Sequence, residues 1–391
     1  MRLLRITTVP ISLKLLLRGQ LEFMEANGIE VLSVSADGPE VKQLNVRHRV
    51  VPMARAITPF QDLISLIRLI FIIREFRPDI VHTHTPKAGL LGMLSARICR
   101  VKVRVHTIAG LPWLQTGGIV RRVLKMAEAG TIYCSTDTLV NSFRLMEILK
   151  SELPGIAVRR FEQGRLTVPG RGSSNGIDLN FFQKSPEISR EATLLRNDFQ
   201  IAQDDFVFCF IGRLVRDKGI GELVRAFDRI REMYPNVRLI LAGPVESGRD
   251  GLQDLVLHRI KAGNGIIAPG LVEDVRPWLA ASDIFVFPSY REGFPNVLLQ
   301  AGCMEVPVIA TDINGCNEII SHGISGLLIP PQREDELTQA METLMLSVSD
   351  RKHFALNLKK YVTENLDQHT VWTELLRFYR ERSGIQTPPS R

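Results

Sequence analysis

Three charged side chains, each set in a glycine-bearing turn, are the residues of this 391-residue chain best placed to do chemistry. Glu292 lies in Tyr290-Arg291-Glu292-Gly293-Phe294, between a short apolar run, Ile284 to Phe287, and the segment Asn296 to Ala301. So brief a bulky run suits a buried parallel strand. Pro295 suits the first position of a helix over the segment that follows. Glu292 then sits at the carboxyl end of a strand and just before a helix N-terminus. Open α/β sheets take ligands at that edge, and helix N-termini favour anions. Upstream, the dense apolar run Phe206–Ile211 enters Gly212-Arg213-Leu214-Val215-Arg216-Asp217-Lys218-Gly219, and a helix starts near Ile220. The two glycines let backbone approach a ligand. Arg213 and Lys218 flank the loop, where charge-assisted hydrogen bonds and the helix dipole can neutralise a diphosphate. Taken singly, each turn also reads as merely solvated.

The elements that must position these turns follow a βαβ rhythm, which predicts an α/β chain with parallel sheets. In the first half the expected strands are Leu3–Val9, Glu30–Ser35, Ile80–His82, Val103–Thr107, Thr131–Cys134 and Leu166–Val168. The expected helices are Leu13–Ala26, Pro59–Glu75, Lys87–Cys99, Ile119–Ala129 and Thr138–Lys150. The second half adds strands at Arg238–Ala242 and Gly265–Ala268, and helices at Arg333–Leu346, Asp350–Leu366 and Gln368–Arg382. The length suits two domains, each with its own core. The Asn175-Gly176-Ile177-Asp178 turn lies near their boundary, giving 1–180, 181–366 and a last segment, 367–391, whose helix returns to the first domain and whose tail from Ser383 frays. No Gly-x-Gly-x-x-Gly follows the first strand, which weighs against a dinucleotide-binding domain there.

At the end of strand Ile80–His82, the run Thr83-His84-Thr85-Pro86-Lys87 places His84, Thr85 and Lys87 where an acceptor or a phosphate would sit. His82 and His84 lack a nearby third ligand, so a metal is not expected. Five scattered cysteines, never in Cys-x-x-Cys spacing, fit a reducing cytoplasm. Residues 1–178 hold 25 Lys+Arg against 14 Asp+Glu, and the remainder is mildly acidic. A basic first half suits an anionic partner: a membrane inner face or a phosphate-bearing acceptor, and no recognisable nucleic-acid motif points elsewhere. The most apolar stretch, Leu63–Ile73, is cut by Arg68 and reads as an amphipathic helix rather than a membrane span. The first residues, MRLLRITTVPISLKLLLR, lack the apolar core of a signal peptide.

The runs SYREGFPNVLLQAG, VPVIATDINGCNEII and GISGLLIP resemble the donor-site region of retaining family-4 glycosyltransferases. HTHTPKAGLLG, the Asn-Gly-Ile-Asp turn and Gly-Arg-…-Lys-Gly are similar to further segments of that family. The resemblance implies a GT-B fold, two Rossmann-like domains facing across a cleft. It also implies a nucleoside-diphosphate sugar donor, with UDP favoured, no cofactor, and retaining transfer of a hexosyl group to a saccharide or lipid-linked acceptor of surface polysaccharide synthesis. On these positions Arg213 and Lys218 hold the diphosphate and Glu292 orients the donor sugar. Gly212, Pro244, Leu271, Val272, Gly293, Phe294, Asn296 and Val297 line the donor. The chain departs from the family pattern twice. Gln300 replaces the second Glu of Glu-x7-Glu, and Ala109 stands where the family has a His near the sugar, with His106 three residues earlier. These departures leave an inactive nucleotide-sugar-binding subunit as the alternative.

Overall fold

A computed structural model describes residues 1–246, 248 and 250–384. The predicted frayed tail lies almost wholly outside the described residues. Two compact units emerge: Met1–Gly176 with Gln368–Arg391, and Ile177–Asp367. The division falls four residues before the expected 180, and the last helix is part of the first unit.

The first unit is built on a seven-stranded parallel sheet. Its strands are β1 (Arg2–Ile6), β2 (Glu30–Ser35), β3 (Arg47–Val50), β4 (Ile80–His84), β5 (Val103–Ile108), β6 (Asp137–Val140) and β7 (Leu166–Thr167). The order is β3-β2-β1-β4-β5-β6-β7. Alternate residues of β1 divide between its faces: Leu3 joins a core with Leu21, Met24, Leu375 and Tyr379, and Leu4 joins one with Leu69, Ile73 and Leu91. The last helix, Gln368–Ser383, therefore covers one face of this sheet. Its Tyr379 reaches Arg5, a fully buried guanidinium that also donates to His82 Nδ1 at 2.7 Å and Gln20 Oε1 at 2.5 Å.

Several expected elements fall elsewhere. Thr131–Cys134 is the end of a helix, Gly118–Cys134, and the strand comes after it at Asp137–Val140. Thr138 accordingly lies in a strand, and the next helix begins at Phe143. The helix expected over Leu13–Ala26 is two, Pro10–Leu16 and Gln20–Ala26. They break at Gly19, whose φ of +77 and contact with the Trp372 ring leave no room for a side chain.

The second unit carries β8 (Phe206–Ile211), β9 (Val237–Ala242), β10 (Ile266–Gly270), β11 (Ile284–Phe287), β12 (Val308–Thr311) and β13 (Leu327–Ile329). The parallel order is β10-β9-β8-β11-β12-β13. β8 and β11 are neighbours although 72 residues separate their ends and starts, so the turns after them share one edge of the sheet. Strand order reverses between them, the switch point at which open sheets leave a crevice. Phe208, Phe210, Phe285 and Phe287 are buried at this junction, with Phe210 and Phe287 stacked at 5.9 Å.

Candidate active site

The loop after β8 and the turn after β11 are locked together by backbone. Gly219, at φ +68, begins the helix Ile220–Met233, and a Cβ there would lie 2.2 Å from the Pro288 carbonyl oxygen. Tyr290 N–H donates to Asp217 O at 2.8 Å, and Arg291 pairs with the Asp217 carboxylate. A third loop joins from after β12. A Cβ on Gly315 would meet Gly293 O at 2.3 Å, and Asn314 Nδ2 donates to Glu292 O. The loop after β9 abuts the same edge: Gly212 N–H donates to Ala242 O at 2.9 Å, Leu214 N–H to Pro244 O at 2.8 Å, and a Cβ on Gly243 would collide with Gly212 O.

This scaffold brings Lys218 and Glu292 into direct contact as an ion pair, with side chains only 16% and 14% exposed. Ser289 Oγ donates to the same Glu292 oxygen at 2.8 Å, and Thr311 Oγ1 donates to Ser289 O. Lys218 Nζ also stands 5.3 Å from the Phe287 ring centroid, within cation–π range. The carboxylate is thus held by groups on two loops, the backbone carbonyl of Glu292 by a third, and the ammonium by one carboxylate and one ring. Buried Cys316 lies near enough that Glu292, after burial itself, helps push its thiol well above the ordinary range. The other thiols are raised too, Cys209 and Cys303 to about 12, so none is an activated nucleophile.

Arg213 is placed differently. It stands on the same loop but turns to Glu246 beyond β9, Nη1 to Oε2 2.7 Å, both side chains about half exposed (50% and 44%). So open a pair is worth about 0–1 kcal/mol, and an arriving anion can take the guanidinium from it. Of the other expected donor residues, Phe294 is buried, Gly293, Asn296, Val297, Gln300, Pro244 and Val272 are half-buried, and Leu271 is exposed. The helix begins at Asn296, so Pro295 is its cap residue rather than its first turn.

In the first unit, His84 ends β4, buried and stacked on His82 at 4.5 Å. Its Nε2 has no hydrogen-bond partner among the described residues, and His84 lines a cavity of about 20 Å³ together with Thr107, Asn141 and Ser173. A space of that size accommodates about one water. Thr85 caps the helix Pro86–Ile98 at φ +73, rare for a β-branched residue, its Oγ1 2.7 Å from that of Thr8. Lys87 is engaged by Asp62 at 2.6 Å and by Thr58 and Ala56 O, which tie together two helix N-termini. His106 is a core residue, 2.8 Å from Thr83 Oγ1 and 3.4 Å from buried Glu128. Ala109 is exposed just after β5.

The sequence reading missed Ser289, Thr311 and Asn314 as the groups that hold Glu292. Only the Asn-Gly pair in Asp312-Ile313-Asn314-Gly315 signalled a tight turn that could approach another backbone.

The two halves of the chain match known families. Residues 205–347 match the family described as "Glycosyl transferases group 1", and residues 17–157 match "Glycosyltransferase Family 4". The capsular polysaccharide biosynthesis glycosyltransferase CapM of Staphylococcus aureus is 32% identical over 379 residues, 97% of this chain and 96% of that protein. A UDP-Gal:alpha-D-GlcNAc-diphosphoundecaprenol alpha-1,3-galactosyltransferase of Escherichia coli is 30% identical over 301 residues, 76% of this chain and 74% of that one. Among solved structures, Anabaena Alr3699/HepE in complex with UDP and glucose superposes with a TM-score of 0.80 at 21% identity, covering 97% of this chain and 100% of that one. Sucrose-phosphate synthase (tll1590) of Thermosynechococcus elongatus gives 0.79 at 18%, covering 99% and 100%. Sequence and fold agree: the chain belongs to the family-4 glycosyltransferases, and is an enzyme of that kind with the two-domain α/β GT-B fold.

Proposed function

We propose that the chain moves a hexosyl group from a nucleoside-diphosphate sugar, UDP favoured, to a hydroxyl of a saccharide carried on a lipid diphosphate, with retention at the anomeric carbon, in surface polysaccharide assembly. The observation that carries this reading is the Lys218–Glu292 contact at the switch-point edge: a cation for phosphate beside a carboxylate for sugar hydroxyls. Two relatives support the substrate classes. One is named for capsular polysaccharide biosynthesis, the other for a UDP-sugar donor and a diphosphoundecaprenol-linked acceptor.

In this reading the bond from the anomeric carbon to the β-phosphate oxygen breaks, and the nucleoside diphosphate leaves with the electron pair. The acceptor oxygen bonds to the same face of that carbon, and its proton passes to the departing phosphate. Charge grows on the β-phosphate as this happens, so Lys218, and Arg213 once released from Glu246, stabilise the transition state more than the ground state. Glu292 hands Lys218 to the phosphate and turns to the sugar's hydroxyls, while Ser289 and Asn314 hold its position. Gly212, Gly293, Phe294, Asn296 and Val297 surround phosphates and sugar, and Pro244, Leu271 and Val272 the base. Gln300 accepts from the ribose without charge assistance, at a cost on the order of 1 kcal/mol. His84, Thr85 and Lys87 are proposed to serve the acceptor.

The test is a panel of UDP-, GDP- and ADP-sugars offered with synthetic polyprenyl-diphosphate saccharides, the product's anomeric configuration read by NMR. Transfer from one donor with configuration kept supports the reading. Donor binding with neither transfer nor hydrolysis overturns it in favour of an inactive binding subunit.

A further inference from the structure

The helix Pro59–Phe76 is not amphipathic in the way its sequence suggested. Its inner side buries Ser65, Leu69 and Ile73 against the sheet. Its outer side is apolar as well: Phe60, Ile64, Ile67 and Phe71 form one exposed line at helical spacing, with Phe60 88% and Phe71 64% exposed. Leu63 widens the line, and exposed Arg68 and Arg74 border it. An apolar stripe left on the outer side of a helix whose inner side is already packed calls for a further apolar partner.

A second stripe repeats the pattern. On the helix Gly118–Cys134, Ile119, Val123 and Met126 are exposed along one line, Ile119 and Met126 by about three-quarters (76% and 74%), beside exposed Arg122. Both helices pack on the helix Pro86–Ile98, which lies between them, so the two stripes belong to one helical layer on one face of the sheet. Both helices also begin at the sheet's carboxyl edge, where Thr85 and Lys87 start the middle helix. Exposed Ile57 and Leu114 continue the apolar surface there.

We infer that this layer is a docking surface for an anionic lipid bilayer. Charge selects that occupant: residues 51–134 hold 12 Lys+Arg against 4 Asp+Glu, and one of those acids, Glu128, is buried. Arg68 and Arg122 make no ion pair among the described residues. Long basic side chains flanking an apolar stripe reach headgroup phosphates while their neighbours enter the acyl boundary. A second copy would set two such basic faces against each other, which like charge opposes. No helix of the described residues is long and apolar enough to cross a membrane, so the contact is peripheral. The inference deepens the proposed function and rests on it in one respect: the docked edge is the one at which a lipid-linked acceptor would be received.

The test uses the full chain and sedimentation with vesicles of phosphatidylglycerol and phosphatidylcholine, or phosphatidylcholine alone, without donor or acceptor. Failure of the catalytic reading therefore leaves this result untouched. The wild type is expected to sediment with the anionic vesicles and to be released by salt. The doubles Phe60→Ser/Phe71→Ser and Ile119→Ser/Met126→Ser should each lower bound protein at least tenfold, with unchanged thermal melting and unchanged turnover of a water-soluble acceptor. Arg68→Gln/Arg122→Gln, which alters no apolar contact, should remove the preference for anionic vesicles. Wild type that stays in the supernatant, variants that bind undiminished, or a wild-type dimer in ultracentrifugation that the substitutions dissociate would each overturn the inference.

Discussion

Replacing Gly219 with Ala tests whether the loops carrying Lys218 and Glu292 are held by backbone contact. Two separate costs arise. At φ +68 an alanine is strained by roughly 1 kcal/mol. Its Cβ, 2.2 Å from Pro288 O, must also move about 1 Å to reach ordinary contact, and overpacking of that kind costs about 1–3 kcal/mol. The sum is about 3 kcal/mol. Gly270 supplies the control, because it has φ +81 in the same unit and nothing within 4 Å of its would-be Cβ. Gly270→Ala should therefore show the strain alone, about 1 kcal/mol. Native-state hydrogen exchange of peptides from β8 and β11 reads both, a tenfold faster exchange corresponding to about 1.4 kcal/mol. Roughly hundredfold faster exchange for Gly219→Ala, against tenfold or less for Gly270→Ala, is expected. Equal losses in the two variants would refute the interlock.

Glu246→Gln should leave stability within about 1 kcal/mol and tighten nucleoside-diphosphate binding slightly, because it frees Arg213 from an exposed pair; calorimetry showing weaker binding would contradict that role. Gln300→Glu should leave donor KM equal or lower, and a large rise would misplace the residue relative to the ribose. Burial first, and then the neighbouring Arg5 charge, hold His82 and His84 well below the ordinary histidine range. Below about pH 6.5 the unfolded chain binds protons that the folded one refuses. Stability of the first unit should then fall as pH drops from 7 to 5.5, approaching about 1.4 kcal/mol per pH unit for each histidine. A flat profile of hydrogen exchange in β4 and β5 peptides would contradict their neutral burial.

What the sequence disclosed follows from what carries local information. β8 and β11 were legible to the residue, because a strand buried on both faces writes itself as a continuous apolar run. β3, Arg-His-Arg-Val, was invisible for the opposite reason: an edge strand with exposed basic side chains looks like a loop. Thr131–Cys134 misled because the buried end of a helix is also a short apolar run. At the candidate site, Arg213, Lys218 and Glu292 were legible as charges beside glycines. The groups that fix Glu292 were not, since Thr311 and Asn314 reach Ser289 and Glu292 from 22 residues away. The outer face of Pro59–Phe76 was misread because Arg68 interrupts the sequence but stands at the border of the apolar line, not across it.

The central claim, that Lys218 and Arg213 grip a diphosphate beside Glu292, is tested most directly by calorimetric titration of UDP into the wild type, Arg213→Met and Lys218→Met. Each lost charge-assisted contact is worth about 1.5–3 kcal/mol, so each variant should bind roughly tenfold to hundredfold more weakly. UDP affinity unchanged in both variants would contradict the account.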